Sequence, residues 1–89
     1  MIAIDTNLLV YAHRSALPEH LRARRAIEEA AAGPKGWAVP AFCVAEFWAV
    51  VTHPSGSRPS RSEEAHAFLA GLFAAGAKAL HPREGLSSV

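Results

Sequence analysis

Residues 1–13, MIAIDTNLLVYAH, give the first indication of the fold. Its short apolar run, residues 1–4, ends at Asp5, and this pattern predicts a buried strand. Asn7 is a residue type that caps helices, so it predicts a helix over residues 8–13. A strand that leads directly into a helix is the beginning of a βα unit, the repeating element of α/β folds.

The rest of the chain repeats this alternation of strands and helices. Pro18 and the pair Gly33-Pro34 are typical of a helix start and a helix end. An S-x-x-E capping box, Ser60 with Glu63, predicts one further helix start. The predicted elements are a helix at 19–32, a strand at 37–39, a helix at 41–52, a helix from the capping box to Gly76 and a strand at 77–81. This order predicts an α/β fold with a parallel sheet of three strands.

The helices are expected to supply the core. The helix at 41–52 is apolar nearly all round, which predicts deep burial on every side. The other two long helices each carry one apolar stripe at helical spacing. The predicted stripes are Leu17, Leu21, Ile27 and Ala31 in the first, and Ala65, Phe68, Leu69, Leu72 and Phe73 in the second.

Composition excludes several classes of protein. The chain has 89 residues, 51% of them hydrophobic and 19% charged, which indicates one small folded domain rather than a disordered segment. A single cysteine cannot form a disulfide framework. No apolar stretch approaches the ~18 residues of a membrane span, and no basic segment precedes the first apolar run. We therefore expect a cytoplasmic protein without membrane contact, and the net charge of +1 favours no partner.

Asp5 and Glu46 are the two residues that point to chemistry. Asp5 ends the first predicted strand, where ligands of open parallel sheets bind, although it could equally cap the next helix. Glu46 interrupts an apolar helix, and a buried carboxylate needs either an arginine partner or a cation. Two carboxylates with waters suit Mg²⁺ or Mn²⁺. Such an ion can activate water for attack on a phosphodiester.

Two segments resemble a known family. IAIDTNLLVYA, residues 2–12, is similar to the opening of PIN-domain ribonucleases, specifically the VapC-type toxins of bacterial toxin–antitoxin modules. WAVPAFCVAEFWAVVTHP, residues 37–54, is similar to their second motif, in which an acid lies within an apolar helix that ends near Thr-His-Pro. The two motifs occur in the family's order, and the resemblance extends to about Leu80.

The resemblance implies a fold and a reaction. It implies a PIN-like three-layer αβα domain at residues 1–81, truncated at its C-terminal side, followed by a polar tail at 82–89. It implies a Mg²⁺- or Mn²⁺-dependent endoribonuclease that cleaves RNA, binds a cognate antitoxin and forms a homodimer. The implied catalytic and metal-binding residues are Asp5 and Glu46. Thr6 and Asn7 match the positions that support the site.

Other functions remain open at this stage. The family's further acids have no counterpart in a helix or strand of this sequence, so a non-catalytic partial domain that binds an antitoxin or dimerises is an alternative. Phosphoryl transfer through Asp5, as in haloacid dehalogenase-type phosphatases, is another, although their second acid is replaced here by Asn7. Four arginines could contact an RNA backbone or simply be solvated. They are Arg14, Arg22, Arg25 and Arg58.

Overall fold

A computed structural model describes residues 1–56 and 58–80 of the chain. It contains four helices and three short strands in the predicted order, so the predicted α/β class with a three-stranded parallel sheet is confirmed. The predicted polar tail at 82–89 lies outside the described residues. The elements are β1 (Ile2–Ala3), α1 (Thr6–His13), α2 (His20–Ala32), β2 (Trp37–Pro40), α3 (Ala41–Thr52), α4 (Ser62–Ala74) and β3 (Lys78–Leu80).

The sheet has the strand order β1-β2-β3, and both neighbouring pairs are parallel. Each crossover therefore moves one strand further in the same direction. Right-handed crossovers that advance in one direction place their helices on the same face of a sheet. All four helices indeed contribute to one core cluster, which also contains Trp37 and Val39 of β2.

The burial of β1 differs from the prediction. Its two residues, Ile2 and Ala3, are exposed, and only Ile4 beyond the strand is buried. The prediction of a buried strand at residues 1–4 is therefore wrong for the strand itself. The physical reason is its place in the sheet, because β1 lies at an edge and pairs with β2 alone.

α3 has the predicted bounds but not the predicted burial. Cys43, Phe47 and Val51 recur every fourth residue and are buried against the neighbouring elements. On the adjoining side, Phe42 is 65% exposed and Val50 is 48% exposed. The prediction of burial on every side is wrong, because α1, α4 and β2 pack against one side of the helix. One apolar stripe of α3 faces solvent.

α2 begins one residue later than predicted and buries a different stripe. Its buried residues are Ala23, Ile27 and Ala30, whereas Leu21 is 74% exposed. Ala23 and Ala30 therefore lie on the inward face, and their small side chains let α2 lie close to α1. The larger side chain of Leu21 points away from the core.

The start of α4 differs by one residue from the predicted capping box. The Glu64 carboxylate accepts a hydrogen bond from the Arg61 backbone N–H at 2.9 Å, so the pair is Arg61 and Glu64 rather than Ser60 and Glu63. The predicted apolar face is confirmed, with Ala65, Leu69 and Leu72 buried and the two phenylalanines packed against the core. Gly76 follows the helix with φ +106°, a conformation that glycine adopts without strain.

Ser60 has another role, which joins the end of α1 to the loop before α4. His13 and Ser60 share a hydrogen bond of 2.8 Å between Nε2 and Oγ. The neighbouring Arg14 guanidinium donates to the backbone carbonyls of Arg58 and of Val51. The His13 ring also packs edge-on against two phenylalanines, Phe47 and Phe68. These contacts hold the two halves of the chain together.

The folding stability should depend on the protonation of His13. Burial, and then the positive charge of Arg14, lower the pKa of His13, while Glu64 opposes them. Because the folded state binds this proton less readily than the unfolded state, the free energy of unfolding should be maximal above pH ~6.5 and fall as the pH drops below it. Urea titrations between pH 7.5 and 5.5 measure the effect. The same slope in the His13→Gln variant would show that other groups cause it.

Candidate functional site

Asp5 lies between β1 and α1 and caps the helix. Its Oδ1 accepts a hydrogen bond from the Leu8 backbone N–H at 2.9 Å, with an extended backbone at φ −88°. Asn7 was expected to be the cap, and this expectation is wrong because the helix begins earlier, at Thr6. The cap occupies one carboxylate oxygen of Asp5. The side chain is exposed, so its second oxygen, Oδ2, can serve a ligand.

Glu46 reaches the same place from α3. It lies on the exposed side of that helix, and its Oε1 accepts a hydrogen bond from the Thr6 hydroxyl at 2.5 Å. Thr6 is the residue that follows Asp5. The first turn of α1 and the middle of α3 are thereby joined, and the two acids are brought into one groove.

The acid groove is an open depression of about 470 Å³ between α1 and α3. Asp5, Thr6, Asn7 and Glu46 are its polar residues. Apolar and aromatic side chains complete the walls. They are Val10, Tyr11, Phe42, Cys43 and Val50. All four residues that the sequence proposed for the centre of the site therefore line one surface.

The exposure of Glu46 changes the argument for a cation. Glu46 was expected to be buried and to need a partner for that reason, which is wrong because its side of α3 faces solvent. The argument that remains is proximity, since two carboxylates and a hydroxyl share one groove. These are hard oxygen donors, which Mg²⁺ and Mn²⁺ prefer, together with waters and phosphate oxygens. They fit a divalent ion as part of a ligand set, and the described residues contain no cluster of three or more His, Cys, Asp or Glu side chains that could hold a metal ion.

A larger cavity, of about 530 Å³, lies elsewhere between α2 and α4. Its walls include Ile27, Phe68 and Leu72, with one acid, Glu28, at its border. Glu28 is 3.9 Å from the Arg24 guanidinium, so its charge already has a partner. Size alone would select this cavity, but the chemistry favours the acid groove.

The four arginines proposed as RNA contacts lie in different surroundings. Arg14 is half-buried and donates to two backbone carbonyls, which gives it a structural task. Arg58 supplies one of those carbonyls and has an exposed side chain. Arg22 and Arg25 are exposed on α2. None of the four lines the acid groove, and RNA contact by them stays a prediction.

The sequence analysis did not select two aromatic residues of the groove, Tyr11 and Phe42. Phe42 was treated as core, although it lies four residues before Glu46 and hence on the same side of the helix. That spacing was the available signal, and it was not used because the whole helix was expected to be buried. Tyr11 is half-buried on α1.

The fold and the site define an α/β protein with an acidic pair beside the carboxyl end of β1, the position at which such sheets bind ligands. The sequence matches the PIN domain family over residues 2–87, and the chain belongs to this family. PIN domains are typically nucleases and generally use divalent metal ions, which supports a nuclease-type function here. No curated protein matches the chain significantly. No helix among the described residues is long and apolar enough to cross a membrane.

Proposed function

We propose that the chain is a metal-dependent endoribonuclease that hydrolyses RNA phosphodiester bonds with Mg²⁺ or Mn²⁺. The observation that carries the proposal is the acid groove, in which Asp5 and Glu46 lie on neighbouring helices that the Thr6 hydrogen bond joins. Asp5 and Glu46 would hold the ion. When bound, the ion supplies a water of lowered pKa and neutralises charge on the phosphate.

The chain's own residues prepare the groove for that chemistry. The Leu8 N–H fixes one oxygen of Asp5 and so fixes the direction of the carboxylate. The Thr6 hydroxyl does the same for Glu46. Asn7 offers an exposed amide in the same wall, suited to a hydrogen bond with a phosphate oxygen or a ribose hydroxyl. The two carboxylates are thus oriented by the backbone or by a neighbour before a substrate arrives.

The proposal extends to a biological setting. The resemblance of residues 2–12 and 37–54 to VapC-type toxins supports a toxin that acts on cytoplasmic RNA and is held inactive by a cognate antitoxin. It also supports a homodimer. An antitoxin that covers the acid groove would exclude RNA sterically.

Removal of metal should abolish cleavage. We expect the purified chain to cut single-stranded RNA with Mn²⁺, to be inactive with EDTA and to regain activity with excess Mn²⁺. Glu46→Gln should lower the cleavage rate at least about tenfold, because a neutral amide binds a hard cation poorly. Glu29→Gln removes an exposed carboxylate from α2 and is the matched control, which should cleave normally. RNA cleavage that survives EDTA would contradict the proposal.

The second candidate is a non-catalytic partial domain that binds an antitoxin or dimerises. The lack of a third acid beside Asp5 and Glu46 in the described residues favours it. The same assay separates the two functions, because a folded chain that leaves RNA intact with Mn²⁺ would support this second candidate. Cleavage that requires Glu46 would exclude it.

A further inference from the structure

The solvent-facing side of α3 carries a stripe of chemically different residues that the acid pair alone does not explain. Phe42, Glu46, Val50 and the C-cap His53 follow each other at spacings of four, four and three residues, so they lie on one side of the helix. All four are exposed. At 1.5 Å per residue the stripe is about 16 Å long. We call it the α3 stripe.

The α3 stripe forms one continuous surface with the acid groove. Phe42, Glu46 and Val50 line the groove itself. A second, shallower depression of about 380 Å³ begins at Glu46 and Val50 and continues to His53 and Ser55. A chain-like ligand could therefore extend from Phe42, past the two acids, to His53.

Phe42 contributes little to the packing of the described residues. Its ring is 65% exposed, while Phe47, five residues further along, fills the core. An exposed ring beside a nuclease-type site is a platform on which an unpaired base can stack. Bases in a duplex are already stacked on each other, so such a platform favours single-stranded RNA.

His53 presents a fixed hydrogen-bond donor at the other end of the stripe. Its Nδ1 accepts the Ser55 backbone N–H at 3.1 Å and lies 2.7 Å from the Ser55 hydroxyl. Since Nδ1 is an acceptor, the proton of the neutral ring is on Nε2. The Nε2–H is then available to a phosphate oxygen whether the ring is neutral or charged.

We propose that single-stranded RNA lies along the α3 stripe, with an unpaired base stacked on Phe42 and a backbone phosphate bound by the Nε2–H of His53. The inference rests on the proposed function for the position of the scissile bond, which would be held between these two contacts at Asp5 and Glu46. Phe42 and His53 are positioning residues. They set which part of the RNA reaches the acids and act on no reacting atom.

Binding without cleavage tests the inference separately from catalysis. The dissociation constant of a short fluorescent RNA is measured by anisotropy in EDTA, for the single strand and for its duplex. Phe42→Ala should weaken single-strand binding about tenfold, and Phe42→Trp should retain it, because stacking requires a ring. Duplex binding should be unchanged in both variants. Leu21→Ala removes another exposed hydrophobic side chain and is the matched control.

The His53 contact has its own variants. His53→Ala should weaken single-strand binding several-fold, since it removes a hydrogen bond to a charged group. His53→Gln places an amide donor near the Nε2 position and should restore much of the affinity. His66→Ala, at an exposed position of α4, should have no effect.

The outcomes separate this inference from the proposed function. Cleavage by the chain with unchanged RNA binding in Phe42→Ala and His53→Ala would overturn the inference and leave the function standing. If RNA binding depends on Phe42 but the chain never cleaves RNA, the RNA-binding role of the α3 stripe would stand and the nuclease function would be rejected. Light scattering gives a third outcome. If Phe42→Ala turns a dimer into a monomer while its RNA affinity is unchanged, the α3 stripe binds a second copy of the chain and the inference is overturned.

Discussion

Asp5→Asn should abolish metal-dependent RNA cleavage, with a loss of at least about a hundredfold, while the fold stays intact. Asparagine caps helices as well as aspartate does, so α1 should keep its N-terminal hydrogen bond. The amide oxygen would take over the Leu8 N–H that now binds Oδ1. The NH₂ group then replaces the free oxygen, and it offers a cation a donor instead of a ligand. The cleavage rate with Mn²⁺ measures the loss of activity, and the urea midpoint of the same preparation shows whether the fold is intact.

The comparison with other variants makes this test specific. Asp5→Ala loses the cap as well as the carboxylate and should cost about 1 kcal/mol of stability, which would confuse the two roles. Glu46→Gln should be less severe than Asp5→Asn, because the Thr6 hydroxyl can accept a hydrogen bond from the Gln NH₂ and so leave the amide oxygen to face the groove, whereas the Leu8 N–H can only donate. Cleavage by Asp5→Asn at the wild-type rate would refute the proposed role of this carboxylate, whatever the result for Glu46.

The order of elements was predictable because it depends on local signals. Pro40 fixes the start of α3, and Gly76 marks the end of α4 through its φ of +106°. The α4 stripe was predictable for a similar reason, since its apolar residues recur at helical spacing and its other face is polar or small. Such signals lie within a few residues of the helix end or helix face that they predict.

Burial was harder to predict because it depends on what lies opposite. α3 is apolar on every side, so its sequence does not say which side meets the core. α2 carries both a leucine and alanines, and the core takes Ala23 and Ala30 and leaves Leu21 in solvent. In both helices the choice is made by partners that are distant in the sequence, such as α1.

The two acids were selected from the sequence for reasons that the structure supports only in part. Asp5 was placed at the end of a strand, and the structure has it there, with the additional task of the cap. Glu46 was selected because a buried carboxylate would need a partner, yet it is exposed. What the sequence could not supply is the Thr6 hydrogen bond, which joins residues 40 positions apart. The sequence also could not show that one side of α3, with Phe42 and His53, is exposed, because this depends on helices that are distant in the sequence.

Phe47→Ala should be the most destabilising single substitution in α3. Its ring is fully buried, stacks on Phe68 at a centroid distance of 5.2 Å and meets the His13 ring at 5.3 Å. Truncation of a buried phenylalanine to alanine costs about 3–5 kcal/mol, through lost burial and the cavity that it leaves. A chain of this length has a total stability of only about 4–13 kcal/mol. We expect a large fall in the urea midpoint, or an unfolded protein.

Phe42→Ala is the matched control for that prediction, because it makes the same chemical change in the same helix. Phe42 is 65% exposed, so its loss should change the free energy of unfolding by less than about 0.5 kcal/mol. The two variants should therefore separate the two sides of α3: one lowers stability, whereas the other lowers affinity for single-stranded RNA in a chain that still folds. Equal destabilisation by both would mean that α3 is buried on both sides, as its composition alone suggests. The acid groove would then not be open to a substrate, and the nuclease proposal would lose its structural basis.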